Sequence, residues 1–126
     1  MLKIENFIDL KIWRKGMEII NRIYRATGQF PEAEPHGMIF RMRRISITIS
    51  SCMAECFRRN HPGEYRLYLG MALDAGEELK SLMTIAHQLD YVSLAESRTI
   101  TKTIDSLCRM VRTVLRKSSE NEHQIT

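Results

Sequence analysis

Four stretches of this chain place apolar residues in steps of three and four, the spacing that lines one face of an α-helix. The first carries Leu10, Trp13, Met17, Ile20 and Tyr24, and the second Met38, Met42, Ile45, Ile49, Cys52 and Cys56. The third repeats the pattern at Tyr65, Leu69, Ala72, Gly76, Leu79, Met83 and Ala86, and the fourth at Ile100, Ile104, Leu107, Val111 and Val114. Clear breaks separate them. TGQFPEAEPHG (27–37) holds two prolines and two glycines, and NHPG (60–63) offers Pro62 for the first turn of a helix. In LDYVSLAE (89–96), Ser93 and Glu96 form an S-x-x-E capping box. Beyond Lys117, SSENEHQIT has no apolar periodicity and reads as a disordered tail. The pattern predicts an all-α domain over residues 1–117, an antiparallel up-and-down four-helix bundle, with the tail at 118–126.

One stretch complicates that picture. In RMRRISITISS (41–51), Ile45, Ile47 and Ile49 alternate with Ser46, Thr48 and Ser50, the period of a half-buried strand. On a helix, Ile45 and Ile49 join the seam while Ile47 points roughly opposite, at about 100° per residue. Ile39, Phe40, Ala54 and Phe57 cluster near Ile47, and in the first helix Ile12, Gly16, Ile19 and Ile23 widen the apolar arc. Two apolar stripes on one helix predict a subunit interface, with Ile12, Ile19, Ile23, Ile39, Phe40, Ile47 and Phe57 as its candidates. The alternative is a helix largely buried within one chain.

Composition narrows the classes. The 126 residues are 44% hydrophobic and 27% charged, and no apolar run is long enough for a membrane span. The N-terminal MLKIENFIDLKIWRKG is interrupted by charges and lacks a signal-peptide core. Three cysteines cannot all pair, so Cys52, Cys56 and Cys108 are expected as reduced thiols and the protein as cytoplasmic.

The helical segments also resemble a known family. NFIDLKIWRKGMEIINRIYRATGQFP, RRISITISSCMAECFRR, EYRLYLGMALDAGEELKSL and AHQLDY follow the bacterial four-helix-bundle proteins encoded in intervening sequences of large-subunit ribosomal RNA genes. The resemblance spans about residues 6–92 and is carried by Asp9, Leu10 and Trp13, by Phe30–Pro31, and by Arg43, Arg44, Ala54 and Glu55. It implies an up-and-down bundle assembled as a homopentameric ring, with helices one and two in the packing. A related bundle, the accessory protein of diversity-generating retroelements, is a basic pentamer working with a reverse transcriptase and RNA. The resemblance therefore extends the expected partners to structured RNA or a nucleic-acid-processing protein. The chain departs from the family at one motif: Ser50, Cys52 and Cys56 replace a proline, an asparagine and a glycine. Loss of the proline predicts a straighter second helix with a restored backbone hydrogen bond.

No catalytic constellation emerges, and no enzyme, cofactor or metal is expected. Cys52 and Cys56 have metal-ligand spacing but fall on the apolar seam, which reads as core. Glu120 and His123 match half of a di-iron motif, and the lone copy lies in the tail. His87 is expected in packing near the end of helix three. Glu55 flanks the second seam near Arg41, Arg44, Arg58 and Arg59, where an ion pair fixing helix register or a subunit contact is expected.

Charge is the remaining functional signal. Net charge is +4 and the pI about 9.1. Arg98, Lys102, Arg109, Arg112 and Arg116 fall within an arc of about 80° on helix four, opposite its seam and broken by Asp105 alone. That stripe extends about 27 Å. Helix two adds Arg41, Arg43, Arg44, Arg58 and Arg59. Residues 67–90 set one lysine against four acids, a net of −3. The expected nucleic-acid contacts are Arg41, Arg44, Arg58, Arg59, Arg98, Lys102, Arg109, Arg112 and Arg116. With no aromatic residue interleaved along the chain, binding would be phosphate-led and salt-sensitive. The rival reading is a protein-interaction adaptor without a nucleic-acid ligand, in which Arg109, Arg112 and Arg116 pair with acids across an interface.

Overall fold

The computed structural model describes residues 6–125, the side chains of 121–125 excepted. Among them, four helices account for the regular structure: α1 (Phe7–Thr27), α2 (Met38–Arg58), α3 (Pro62–Gln88) and α4 (Leu94–Ile125). Helix α1 packs on α2 and α4, and α3 packs on the same two, while neither diagonal pair touches. The result is an antiparallel four-helix bundle, as the periodicity requires.

Local chemistry sets the helix ends. Asn6 caps α1, its Oδ1 accepting from the Asp9 N–H at 2.8 Å. Gly37 precedes α2 with φ of 67°, left-handed backbone that a residue without a Cβ adopts without strain. Pro62 occupies the first turn of α3, behind an imidazole cap: His61 Nδ1 accepts from Gly63 N at 3.1 Å. At the far end, Asp90 is left-handed at φ 60°, the Tyr91 N–H bonds to Ala86 O and the Asp90 N–H to His87 O. This is a Schellman motif closed on aspartate where glycine is usual. Ser93 Oγ accepts from Glu96 N at 3.1 Å, so the expected cap starts α4.

The seams read for α2, α3 and α4 are the core. Met38, Met42, Ile45, Ile49, Cys52 and Cys56 are buried, as are Leu69 through Ala86 at their seam positions and Ile100, Ile104, Leu107 and Val111. The alternating stretch is continuous helix: Ser46 donates to Arg43 O and Thr48 to Arg44 O, satisfying the hydroxyls against the preceding turn.

Helix α1 reverses the expectation. Ile12, Gly16, Ile19 and Ile23 form its buried face, whereas Leu10, Trp13, Met17 and Ile20 are half-buried along its flank. Both arcs are apolar, and the core takes the one centred on Gly16. A Cβ there would lie 2.6 Å from Ser50 Oγ, so glycine permits the close approach of α1 to α2. The bulky Trp13 lies over the α2 side, 6.5 Å edge-on from Phe57. Ile12, Ile19, Ile23 and Phe57 are thus interior to one chain and not part of a subunit interface. Ile39 is half-buried against the same core, leaving Phe40 and Ile47 as the outward members of the expected set.

Helix α4 also continues past Lys117 to Ile125, where the sequence reading placed a disordered tail. SSENEHQI contains neither proline nor glycine, and Arg116 approaches Glu120 at 3.9 Å one turn on. His123 lies outside the described side chains.

Candidate functional surfaces

The α4 stripe stands on the outside of the bundle, since Arg98, Lys102, Arg109, Arg112 and Arg116 are all exposed. Its members are not equivalent. Arg112 bonds Glu77 of α3 at 3.0 Å, and Arg116 lies 3.9 Å from Glu120. Asp105, the acid within the stripe, is occupied by Lys80 of α3 at 2.7 Å. The Asp105 hydrogen bond outweighs partial burial and, with Glu77, holds the Lys80 ammonium above its ordinary range. Arg98, Lys102 and Arg109 make no ion pair among the described residues.

The α2 arginines divide differently. Glu55 accepts from Arg58 at 3.0 Å and from Arg59 at 2.6 Å, both along its own helix. Arg59 also reaches α3, stacking 5.0 Å over the Tyr68 ring and approaching Glu64 at 3.9 Å. Arg41 bonds Glu78 at 2.8 Å. Glu55 is therefore a local neutraliser that helps pin the end of α2 to α3. Arg44 is exposed and without an acid partner among the described residues. Because α2 and α4 are diagonal, their outer faces turn away from each other, and one chain does not merge the two basic sets into a single surface.

A third surface was only partly visible in the sequence. Between α1 and α2, Tyr24, Phe40, Arg43, Arg44, Ile47, Thr48 and Ser51 line an open groove of about 460 Å³. Phe40 is 72% exposed and Ile47 46%. Arg43 forms one wall: its guanidinium stacks 4.6 Å over Tyr24, and Nε donates to Thr27 Oγ1 at 2.8 Å. Aromatic rings are thus placed beside basic groups through space, although none is interleaved with them along the chain. Tyr24 was read as seam; its step from Ile20 is the same as that of a core residue, so spacing gave no sign of its groove position.

The thiols are structural in placement. Cys52, Cys56 and Cys108 are buried and unpaired. Burial pushes the Cys56 thiol up to about 12, well away from a reactive thiolate, and its Sγ faces Tyr65 O at 3.7 Å. Among the described residues, no group of three or more His, Cys, Asp or Glu side chains is placed to hold a metal ion. His87 Nδ1 lies 3.2 Å from Val92 O, tying the α3–α4 turn. Among the described residues, no helix is long and apolar enough to cross a membrane.

The 23S rRNA-intervening sequence protein family, compared through its sequence profile, matches residues 8–113. The chain belongs to that family. The match reaches well past residue 92, where the motif resemblance ended, and takes in α4 as far as residue 113, with Arg98, Lys102, Arg109 and Arg112 of its basic stripe. Among solved structures, a protein of unknown function from the S23 ribosomal protein family of Bacteroides thetaiotaomicron superposes with a TM-score of 0.80 at 14% identity. The superposition covers 87% of this chain and 99% of that one, so the two share a fold. Comparison with curated proteins gives no match.

Proposed function

We propose that this intervening-sequence protein is a non-enzymatic, cytoplasmic homo-oligomer, pentameric as the family resemblance implies, that binds structured RNA or other nucleic acid by its phosphates. The observation that carries this reading is the row of Arg98, Lys102 and Arg109, exposed along one face of α4 and free of acid partners among the described residues. An uncompensated row of two guanidinium groups and one ammonium on a helix suits phosphate oxygens, which it can engage without first breaking an internal pair. Helix α2 contributes less than its sequence suggests, because Arg41, Arg58 and Arg59 are already held by Glu78 and Glu55.

Fluorescence anisotropy of a labelled RNA hairpin and a matched DNA duplex, titrated with protein from about 50 to about 300 mM salt, tests this directly. The expected result is binding that weakens steeply with salt and is lost in the triple variant Arg98→Ala/Lys102→Ala/Arg109→Ala. Absence of binding at the lowest salt would defeat it. The adaptor reading has its own support in the exposed Phe40 and Ile47, and it becomes the working answer in that event.

A further inference from the structure

The α1–α2 groove has an unoccupied counterpart on the same chain. The outer face of α3 presents Leu67, 59% exposed, and Met71, 44% exposed, followed by Asp74. These residues fall at i, i+4 and i+7, one stripe about 10 Å long. On α2, Phe40, Arg44 and Ile47 have the same spacing beside the groove. Each stripe joins two exposed apolar side chains to one charge, and the charges are opposite. Neither Arg44 nor Asp74 forms an ion pair within the chain among the described residues.

We propose that the α1–α2 groove receives α3 of a second copy of this chain, with Arg44 meeting Asp74 and Ile47 meeting Met71 of that copy. The inference rests on the homo-oligomeric part of the reading above and names the two faces that join. Register favours the match. The Arg41–Glu78 bridge sets α2 against α3. Counting along both antiparallel helices from it puts Arg44 within one residue of the height of Asp74, and Ile47 within one of Met71. A neighbouring copy with a parallel axis and no axial shift therefore brings the charges level and sets Ile47 against Met71, with Phe40 and Leu67 beyond this pair at opposite ends of the contact. The two faces are different, so the contact is head-to-tail. The groove opens between α1 and α2 while the α3 face lies at the next corner of the bundle. Successive copies therefore turn in one direction, as a closed ring requires.

Charge reversal with rescue tests the pairing. Arg44→Glu and Asp74→Arg each place like charges across the contact, and at exposed positions each leaves the fold intact, which circular dichroism verifies. Light scattering on size-exclusion fractions should show each single variant needing roughly tenfold more protein to assemble than the unmodified chain. The double variant, with the charges exchanged, should regain the original assembly. Single variants that assemble normally, or a double variant that stays dissociated, would overturn the pairing while leaving oligomerisation standing. An unmodified chain that is monomeric throughout would overturn both, whatever the anisotropy titration shows for nucleic acid.

Discussion

Gly16 and Ser50 make the tightest glycine contact among the described residues. Ser50 Oγ is buried without a hydrogen-bond partner, in space that a Cβ on residue 16 would enter at 2.6 Å. An unsatisfied buried hydroxyl costs about 1–3 kcal/mol, so Ser50→Ala should stabilise the fold by about 1 kcal/mol in denaturant unfolding. Gly16→Ala alone should destabilise by about 1–3 kcal/mol, because the new Cβ meets buried Ser50 Oγ at 2.6 Å and the α1–α2 contact must shift to relieve it. The two changes should be strongly non-additive. With Oγ removed, the nearest side-chain atom to the new Cβ is Ser50 Cβ at 3.7 Å, an ordinary contact. Alanine at position 16 then gains about 1 kcal/mol of helix propensity. A double-mutant cycle reads the coupling directly; additive effects would mean that Gly16 and Ser50 are not in close contact in solution. This crossing is also where the chain departs from its family's proline, and Ser50 sits in an unbroken helix.

At the scale of elements, three of the four seams could be read from spacing, and the fourth could not, for a physical reason. Helices α3 and α4 each have one dominant apolar arc, and in α2 the seam from Met38 to Cys56 is buried while Phe40 and Ile47 of the second stripe stay exposed. In α1 two arcs compete and the choice depends on what α2 and α4 bring to the contact. Glycine at position 16, silent on a hydropathy scale, decides it. The capping box at Ser93 and the proline start of α3 were equally legible. The clamp on the α1–α2 connection was not, because Tyr91, which closes it onto the rest of the bundle, is distant in sequence. Glu34 Oε1 accepts from His36 N at 2.9 Å and Oε2 from Met38 N at 2.8 Å, with the Tyr91 hydroxyl at 3.5 Å. Tyr91 itself packs on Phe30, ring centroids 5.2 Å apart. Partial burial raises the Glu34 pKa, but those backbone donors, the neighbouring His36 and the tyrosine together hold it below the ordinary carboxyl value of 4.5. A depressed folded-state pKa means the carboxylate adds stability above the unfolded value, and that contribution is lost as pH falls below 4.5 through the folded one. Thermal unfolding should therefore show a smaller drop in Tm on acidification for Glu34→Gln than for the unmodified chain. Parallel acid profiles would mean the clamp is open in solution.

For the whole molecule, the decisive property is which positive charges remain available once the chain has folded. The sequence shows a polarised protein, but charge counting cannot distinguish an arginine held by a carboxylate from one facing water. Folding makes that distinction: Glu55, Glu77 and Glu78 absorb Arg58, Arg59, Arg112 and Arg41. The residues sort into two groups with opposite behaviour. Arg109→Ala removes a free cation, so it should reduce the slope of log affinity against log salt by about 0.7–0.9 and leave Tm nearly unchanged. Arg59→Ala removes a guanidinium bound to Glu55 and stacked on Tyr68. It should lower Tm and leave the salt slope unaltered. Arg112→Ala lies between, because its loss also frees Glu77 beside the stripe and adds a repulsive charge there. Measuring slope and Tm together on these three variants separates a phosphate-binding surface from a framework of internal ion pairs. If Arg59→Ala changed the slope as much as Arg109→Ala, the internal pairs would have to open on binding, and the helix-four surface would no longer suffice to account for recognition.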